Sequence, residues 1–179
     1  MNEFLDQPLK VIAAALKKGE TTSVSLVTEC LERIDRVNPE LNAVVSVAKD
    51  LALKHAAKAD ADLAAGYATG PLHGIPMTIK DSLDTFDMIT TWGTQGRQQF
   101  RPGKDAACVA RLRHAGAILV GKTNTPEFTL SFQTDNLLFG KTNNPFDLNR
   151  TSGGSSGGAA ALIASGAIPF DIGTDTGGS

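Results

Sequence analysis

The chain has 179 residues, of which 41% are hydrophobic and 20% are charged, a composition typical of a globular protein with a sizeable core. Its formal net charge of −2 argues against a nucleic-acid or polyanion binder that works through bulk charge. No apolar run approaches the ~20 residues of a membrane span, and the acidic N-terminal residues do not resemble a signal peptide. Cys30 and Cys108 lack metal-ligand spacing and predict no disulfide framework. We therefore expect a reduced, cytoplasmic protein.

The first third of the chain predicts a helical scaffold. The spacing of its apolar residues predicts a first helix that ends at Gly19 and a second helix with Ser23 as its N-cap. Pro39 is expected to lie beyond the end of the second helix. Two further elements complete this part of the chain, a buried strand over 41–47 and a surface helix over 48–64.

The rest of the chain alternates short strands with helices. The predicted strands cover 75–79, 117–120 and 168–172. The predicted helices cover 106–114, with Asp105 as its cap, a short segment with Thr125 as N-cap and Pro126 as first residue, and 159–165. Because helices alternate with strands that look buried, we predict an α/β fold with a mostly covered sheet.

One segment fits the phosphate-loop expression G-x-x-x-x-G-K-[ST] but not its mechanism. A phosphate loop at Gly116 to Thr123 would need a strand before its first glycine and a helix directly after its last residue. In this chain a predicted helix comes first, and the four residues between the two glycines are themselves a predicted strand. A nucleotide-binding module based on this segment is therefore the weaker alternative for the function.

A second segment, Gly154 to Gly158, fits the serine nucleophile motif G-x-S-x-G without its usual surroundings. That motif needs an apolar strand directly before it and a histidine later in the chain. The residues before it are polar and predict a loop, and His55, His73 and His114 all lie upstream. A serine–histidine hydrolase is therefore not indicated.

Three segments together indicate a different serine chemistry. They are Gly74-Ile-Pro-Met-Thr-Ile-Lys80-Asp81, Gly153-Gly-Ser155-Ser156-Gly-Gly158 and Gly173-Thr-Asp175-Thr-Gly177-Gly178-Ser179. In this order and spacing they closely resemble the amidase signature family of serine hydrolases. The resemblance extends through 122–126 and 139–145, and it implies a mixed central sheet covered by helices, an α/β/α sandwich.

The residue types support amide cleavage through a Ser-Ser-Lys triad. An amide is a poor electrophile, so its cleavage needs an activated nucleophile and a stabilised oxyanion. Lys80 ends an apolar strand, where desolvation would lower the pKa of its amine and allow it to act as a base. By the resemblance, Ser179 is the nucleophile, and Ser155, preceded by a cis peptide bond, relays the proton between Ser179 and Lys80.

The resemblance also implies an oxyanion hole built from four successive backbone N–H groups, those of Thr176, Gly177, Gly178 and Ser179. The two glycines would let the backbone approach the substrate without the clash of a side chain. No metal and no cofactor are implied for this chemistry.

Other residues around the triad have supporting roles by the same resemblance. Ser156 would support the triad through a hydrogen bond, whereas Asp81 and Asp175 would fix loop geometry rather than react. Thr129 and Ser131 would border the acyl pocket.

The leading prediction is an amidase that hydrolyses a carboxylic amide to an acid and an amine or ammonia. Within the family the alternative is transamidation, as in amidotransferase A subunits, with ammonia passed to the substrate of a partner protein. Outside the family the alternatives are the nucleotide-binding module and a catalytically silent scaffold. The predicted partner is a small-molecule amide, not nucleic acid or a membrane, and a homodimer is an open alternative.

We expect residues 1–179 to be the N-terminal part of a single amidase signature domain, with a helical scaffold over 1–65 and the catalytic motifs over 66–179. Family members run to more than twice this length, and a catalytic serine at a free chain end would be poorly positioned. The intact mass of the purified protein should therefore lie well above 18.7 kDa, the mass of these residues. A mass spectrum with its main peak at 18.7 kDa would contradict this expectation.

Overall fold

The computed structural model describes residues 3–179, and among these residues it contains five α-helices and six strands. The helices are α1 Leu9–Lys18, α2 Ser23–Leu41, α3 Lys49–Ala64, α4 Ala107–His114 and α5 Gly157–Ala164. The strands are β1 Val44–Val47, β2 Pro76–Lys80, β3 Ile118–Thr123, β4 Asn143–Asn144, β5 Asp147–Thr151 and β6 Asp171–Ile172. Short 3-10 turns cover Glu3–Asp6, Gln95–Arg97 and Glu127–Thr129.

A four-stranded mixed sheet, in the order β1-β3-β2-β6, forms the centre of the fold. β3 runs parallel to β2 and antiparallel to β1, and β6 runs parallel to β2. Every residue of β2 is buried. Its register pairs Lys80 with Thr123 on β3, and Thr78 with Asp171 on β6. The central strand therefore delivers Lys80 to a site covered from both sides.

Helices cover both faces of the sheet, and each face has its own hydrophobic core. On one face, the helices α1, α2, α3 and α5 pack around Ile118 and Val120 of β3. On the other face, Val109 of α4 packs with Met77 and Ile79 of β2. This arrangement confirms the predicted α/β fold with a mixed central sheet covered by helices. Within residues 3–179, no helix is both long and apolar enough to cross a bilayer.

Thr22, not Ser23, caps the N-terminus of α2. The Thr22 Oγ1 atom accepts a hydrogen bond from the backbone N–H of Ser25 at 3.1 Å, which is the contact that defines an N-cap. Ser23 is the first helical residue, and its hydroxyl donates to the carbonyl of Gly74 at 2.7 Å. The prediction of Ser23 as the cap is wrong, because this tertiary contact uses its hydroxyl.

α2 continues through Pro39 to Leu41, so the prediction that Pro39 follows the helix is wrong. Pro39 lies close to the C-terminal end, and the chain leaves the helix only at Asn42, which has the left-handed φ of 49°. The side chain of Asn38 then fixes the turn, since its Oδ1 atom accepts the backbone N–H of Val44 at 2.8 Å. The first predicted helix, by contrast, ends at Gly19 as expected.

The predicted caps at Asp105 and Thr125 are also wrong, and in both cases a tertiary hydrogen bond replaces the local one. Asp105 accepts the backbone N–H of Phe86 at 2.9 Å, and α4 begins after it without a side-chain cap. The Thr125 hydroxyl donates to the carbonyl of Ser155 at 3.1 Å. Pro126 precedes the short turn at 127–129 rather than starting it.

Two strand predictions differ from the structure because the extent of a strand depends on the strand it pairs with. The strand expected over 168–172 is reduced to β6, whose pairing with β2 involves only Thr78 and Ile79. The polar segment expected to be a loop contains β5, which pairs with β4 in an exposed hairpin. All of its residues are exposed, so it lacks the apolar alternation by which strands are predicted.

A second buried lysine, Lys122, stabilises the turn that follows β2. Lys122 lies in the rejected phosphate-loop segment, where β3, Ile118–Thr123, extends three residues beyond the strand expected over 117–120. Its amine donates to the carbonyl of Leu83 at 2.7 Å and to the hydroxyl of Thr90 at 2.9 Å. It also lies 3.4 Å from Asp81 Oδ1, in an ion pair that is almost completely buried.

We predict that Lys122→Met destabilises the protein strongly, because it leaves the buried Asp81 without its cation. Removing one partner of a buried pair lowers the free energy of unfolding by about 3 kcal/mol or more. The control variant Lys58→Met, which removes an exposed ion pair, should lower it by less than about 1 kcal/mol. Urea unfolding followed by circular dichroism measures both changes. Equal midpoints for the two variants would contradict a structural role for Lys122.

Candidate active site

The amine of Lys80 lies among oxygen atoms at the end of β2, and the lysine side chain is fully buried. Lys80 Nζ donates to Ser155 Oγ at 2.6 Å, to Ser156 Oγ at 3.0 Å and to Thr174 Oγ1 at 2.9 Å. A buried amine without such partners would lose its hydration with no compensation. Three hydroxyl groups therefore replace water around the amine.

Burial lowers the pKa of Lys80 to about 8, because the ammonium form loses its hydration. The carboxylates of Asp171 and Asp175 oppose this shift by attracting the ammonium. The amine also contacts Ser156, the N-cap of α5, where the positive end of the helix dipole disfavours a cation. Lys80 is therefore a base that loses its proton at mildly alkaline pH.

Hydrogen bonds from neighbouring loops hold the segment that carries Ser155. The peptide bond between Gly154 and Ser155 is cis, as the resemblance implies. The Thr125 hydroxyl donates to the carbonyl of Ser155, and the Thr134 hydroxyl donates to the carbonyl of Gly153 at 3.0 Å. These contacts fix the backbone on both sides of Gly154, so the Ser155 hydroxyl has a defined direction toward Lys80.

Close packing at the start of α5 requires glycine. A Cβ atom at Gly158 would lie 2.7 Å from the backbone oxygens of both Ala43 and Asn124. Real Cβ contacts are essentially never shorter than 3.0 Å, and backbone atoms cannot move aside cheaply. The glycine therefore allows the first turn of α5, directly after Ser155 and Ser156, to approach the sheet.

Ser179 completes a row of three polar groups. Its Oγ atom lies 3.3 Å from Ser155 Oγ, which in turn accepts from Lys80 Nζ. This is long for a hydrogen bond between hydroxyls, but catalytic hydrogen bonds are often long before substrate binds. The structure thus brings together all three residues that the sequence suggested for the triad.

The backbone N–H groups expected to bind an oxyanion converge instead on Asp175. Those of Gly177, Gly178 and Ser179 donate to Asp175 Oδ1 at 3.0, 2.6 and 3.0 Å. These hydrogen bonds lower the pKa of the Asp175 carboxyl. In the structure a carboxylate oxygen of the protein itself thus contacts three of the four expected donors, and their role in an oxyanion hole stays a prediction. Asp175 fixes the loop, as expected, whereas Thr176 stays a prediction as a donor.

The two glycines of this loop have a conformational reason of their own. Gly177 and Gly178 have φ values of 126° and 96°, which side chains rarely adopt. Among the described residues, a Cβ atom at either position would meet nothing within 4 Å. The backbone conformation therefore favours glycine in this loop, and close approach of the substrate to these glycines stays a prediction.

The residues that directly follow Thr129 and Ser131 pack against the segment that carries Ser155. A Cβ atom built at Gly154 would be 2.9 Å from the backbone nitrogen of Gln133, so the loop packs against the residue before Ser155. Thr129 has a left-handed φ of 61°, and Ser131 Oγ accepts the backbone N–H of Gln133 at 3.1 Å. The role of both residues in an acyl pocket stays a prediction.

Two residues that contribute to this site were not expected from the sequence. Threonine as a residue type does not indicate a catalytic role. Nevertheless, the Thr174 hydroxyl accepts a hydrogen bond from Lys80 Nζ, and the Thr174 carbonyl accepts one from Ser156 Oγ at 3.2 Å. Asp171 lies next to Thr78 through the pairing of β6 with β2. Thr174 lies within the segment Gly173–Ser179, so the sequence motif already indicates that it is near the triad. The neighbour of Asp171, by contrast, is determined by the register between β6 and β2, which the sequence does not show.

His73, the histidine nearest to Lys80 in sequence, makes its contacts away from the triad. Both ring nitrogens of His73 are in contact with other groups, Nε2 with the carbonyl of Ala59 at 2.9 Å and Nδ1 with the hydroxyl of Thr69 at 2.7 Å. Within residues 3–179, no group of three or more His, Cys, Asp or Glu side chains is arranged to hold a metal ion. Cys30 and Cys108 are free thiols, as expected.

Curated relatives of this chain belong to amidotransferases. The glutamyl-tRNA(Gln) amidotransferase A subunit of Rhodopirellula baltica is 48% identical over 168 residues, which cover 94% of this chain and 34% of the relative. The protein of the same name from Chloroflexus aurantiacus is 42% identical over 179 residues, 100% of this chain and 37% of the relative. The chain therefore spans about a third of the length of these relatives.

Solved structures with the same fold include amidases. Fatty acid amide hydrolase matches with a TM-score of 0.94 and 29% identity, over 99% of this chain and 31% of that chain. The peptide amidase from Stenotrophomonas maltophilia matches with a TM-score of 0.87 and 35% identity, over 92% of this chain and 35% of that chain. The family model described as Amidase matches residues 25–179. This chain therefore belongs to the amidase signature family.

Proposed function

We propose that the full-length protein is an amidase that cleaves a carboxylic amide through an acyl-enzyme on Ser179. The observation that carries this proposal is the continuous row of Lys80 Nζ, Ser155 Oγ and Ser179 Oγ, separated by 2.6 and 3.3 Å. Membership of the amidase signature family supports it. The proposal includes a cytoplasmic setting and a single domain to which residues 1–179 contribute the N-terminal part.

In the proposed reaction, neutral Lys80 accepts the proton of Ser155, which takes the proton of Ser179 as this hydroxyl attacks the amide carbonyl. Ser155 then returns a proton to the departing nitrogen, so the C–N bond breaks and an amine or ammonia leaves. Water hydrolyses the resulting ester by the same relay and releases the acid. No net proton is gained or lost by the three residues over one cycle.

The developing oxyanion needs donors near Ser179. In the proposed mechanism these are the N–H groups of 176–179, three of which contact Asp175 Oδ1 in the structure. The proposal therefore requires the Asp175 carboxylate to move aside as the oxyanion forms.

Transamidation is the second candidate, and the curated relatives favour it. Both relatives described above are amidotransferase A subunits, whose name refers to glutamyl-tRNA(Gln). In that case the acyl donor is an amide whose ammonia passes to the substrate of a partner protein, and the first half of the chemistry at Ser179 is unchanged. Amide hydrolysis by the purified full-length protein alone, without added partner proteins, would favour the first candidate.

We predict that a fluorophosphonate labels Ser179 and not Ser155 in the full-length enzyme, because only Ser179 lies at the converging N–H groups. Ser179→Ala should remove the label, whereas Ser155→Ala and Lys80→Ala should slow labelling of Ser179 by orders of magnitude. Peptide mass spectrometry identifies the modified residue. Ser165→Ala is the matched control and should label normally, and an adduct on Ser155 would reverse the assignment.

We also predict that kcat/KM falls about tenfold per pH unit below the Lys80 pKa of about 8, because an ammonium cannot accept a proton. Above that pKa the profile should be level. Steady-state rates across this range measure the profile, with His73→Ala as the control that should leave it unchanged. A wild-type profile that is flat down to about pH 5 would be incompatible with a lysine base.

A further inference from the structure

A buried carboxylate lies at the edge of the sheet beside Lys80, and the proposed mechanism does not use it. Asp171 is the first residue of β6, and its Oδ1 atom is buried. Its Oδ2 atom accepts hydrogen bonds from the hydroxyls of Thr78 at 2.7 Å and Thr123 at 2.8 Å. Two hydroxyl groups from two different strands therefore hold one carboxylate oxygen.

The strand register puts this carboxylate on the same face of the sheet as Lys80. Side chains two residues apart on a strand share a face, so Thr78 and Lys80 point to the same side of β2. Thr123 is the β3 partner of Lys80. The Asp171 carboxylate thus reaches from β6 across β2 to β3, and its two hydroxyl donors lie before and beside Lys80.

The other charged groups near Lys80 are arranged differently. Asp175 approaches from the loop after β6, but it is exposed and accepts three backbone N–H groups. Asp81 and Lys122 form their ion pair on the opposite face of the sheet. No charged residue occurs between 151 and 170, the segment that contains α5.

Helix α2, which also packs against β2, contributes the charges of Glu29 and Arg33. Arg33 contacts Glu29 at 2.9 Å, and it donates to the carbonyl of Gly166 at 2.7 Å, beyond the C-terminal end of α5. The amine of Lys80 contacts the N-terminal end of the same helix at Ser156. The Glu29–Arg33 ion pair and the Lys80 amine therefore lie at opposite ends of α5. Asp171 is the buried charge at the same end as Lys80.

We propose that Asp171 is a positioning residue for Lys80: its carboxylate, held by Thr78 and Thr123, favours the protonated amine and so sets the pH at which the enzyme becomes active. The inference rests on the proposed function only for its effect on catalysis. Without Asp171, burial and the N-terminus of α5 would lower the pKa of the Lys80 amine further, because less negative charge would oppose them. The resulting base would be neutral over a wider pH range but weaker toward the Ser155 hydroxyl.

The charge state of Asp171 fits this role. Burial raises the pKa of its carboxyl to about 6, and the hydrogen bonds from Thr78 and Thr123 oppose that rise. The carboxyl therefore ionises below the pH range in which Lys80 loses its proton. Of the two carboxylates that attract the Lys80 ammonium, Asp171 has the larger effect and Asp175 the smaller.

The test replaces Asp171 with its neutral isostere in the full-length enzyme. Asp171→Asn should lower the pKa of Lys80 by about one unit, followed by NMR of 13C-labelled lysine side chains with Lys80→Met to assign the resonance. The acid limb of kcat/KM should move down by the same amount, and the rate on the alkaline plateau should fall. The matched control is Asp87→Asn, another carboxylate that is mostly buried, which pairs with Arg113 and should leave the Lys80 titration unchanged.

The outcomes separate this inference from the proposed function. A folded Asp171→Asn enzyme with an unchanged Lys80 titration overturns the inference. A Lys80 titration that moves while the kinetic profile stays in place supports the electrostatic coupling but removes Lys80 from the role of base.

A reciprocal measurement keeps the inference testable if Asp171→Asn does not fold. Because coupling between two titrating groups is mutual, Lys80→Met should raise the pKa of Asp171 above about 6, seen in the 13C resonance of its carboxyl. An Asp171 titration that is identical in wild type and Lys80→Met would overturn the inference.

Discussion

Burial of a primary amine at the end of the central strand is the constraint on which the rest of the site depends. An ammonium has three N–H donors, and Lys80 directs them at the hydroxyls of Ser155, Ser156 and Thr174. To bring two of these hydroxyls to the amine, the chain before α5 must lie against the sheet, and this contact leaves no space for a side chain at Gly158. The glycine at position 158 is thus linked to the solvation of this one amine.

The features that were predicted from the sequence are those that local residue order determines. The amphipathic spacing of the first helices, the apolar strand before Lys80 and the small-residue helix after Ser156 are all patterns within one segment. The triad residues came from motif resemblance, and the row of Lys80, Ser155 and Ser179 agrees with it. Helix caps were predicted less well, because hydroxyl and carboxylate side chains such as Ser23 and Asp105 bind distant backbone groups instead.

The features that were not predicted depend on which strands become neighbours. Thr78, Thr123 and Asp171 are ordinary residues of three separate segments, and they form one hydrogen-bonded group only because β3, β2 and β6 are adjacent in a fixed register. A shift of one residue in either pairing would turn these side chains to opposite faces. The contact of Asp175 with its own loop is a different case, since it is local in sequence but depends on the positive φ values at Gly177 and Gly178.

The two buried lysines show how similar burial leads to different chemistry. Lys122 also has hydroxyl and carbonyl acceptors, those of Thr90 and Leu83, but in addition it has the carboxylate of Asp81 at 3.4 Å from its amine. Burial lowers the pKa of Lys122 and the Asp81 carboxylate opposes this shift, so the buried ion pair makes the contact of Lys122 structural. Lys80 has hydroxyl partners, which accept from an ammonium but can donate to a neutral amine after small rotations. The direct side-chain partners of the Lys80 amine are hydroxyl groups, and Asp171 and Asp175 act on it from a greater distance. Lys80 therefore keeps hydrogen-bond partners in both protonation states, which a residue that accepts and returns a proton requires.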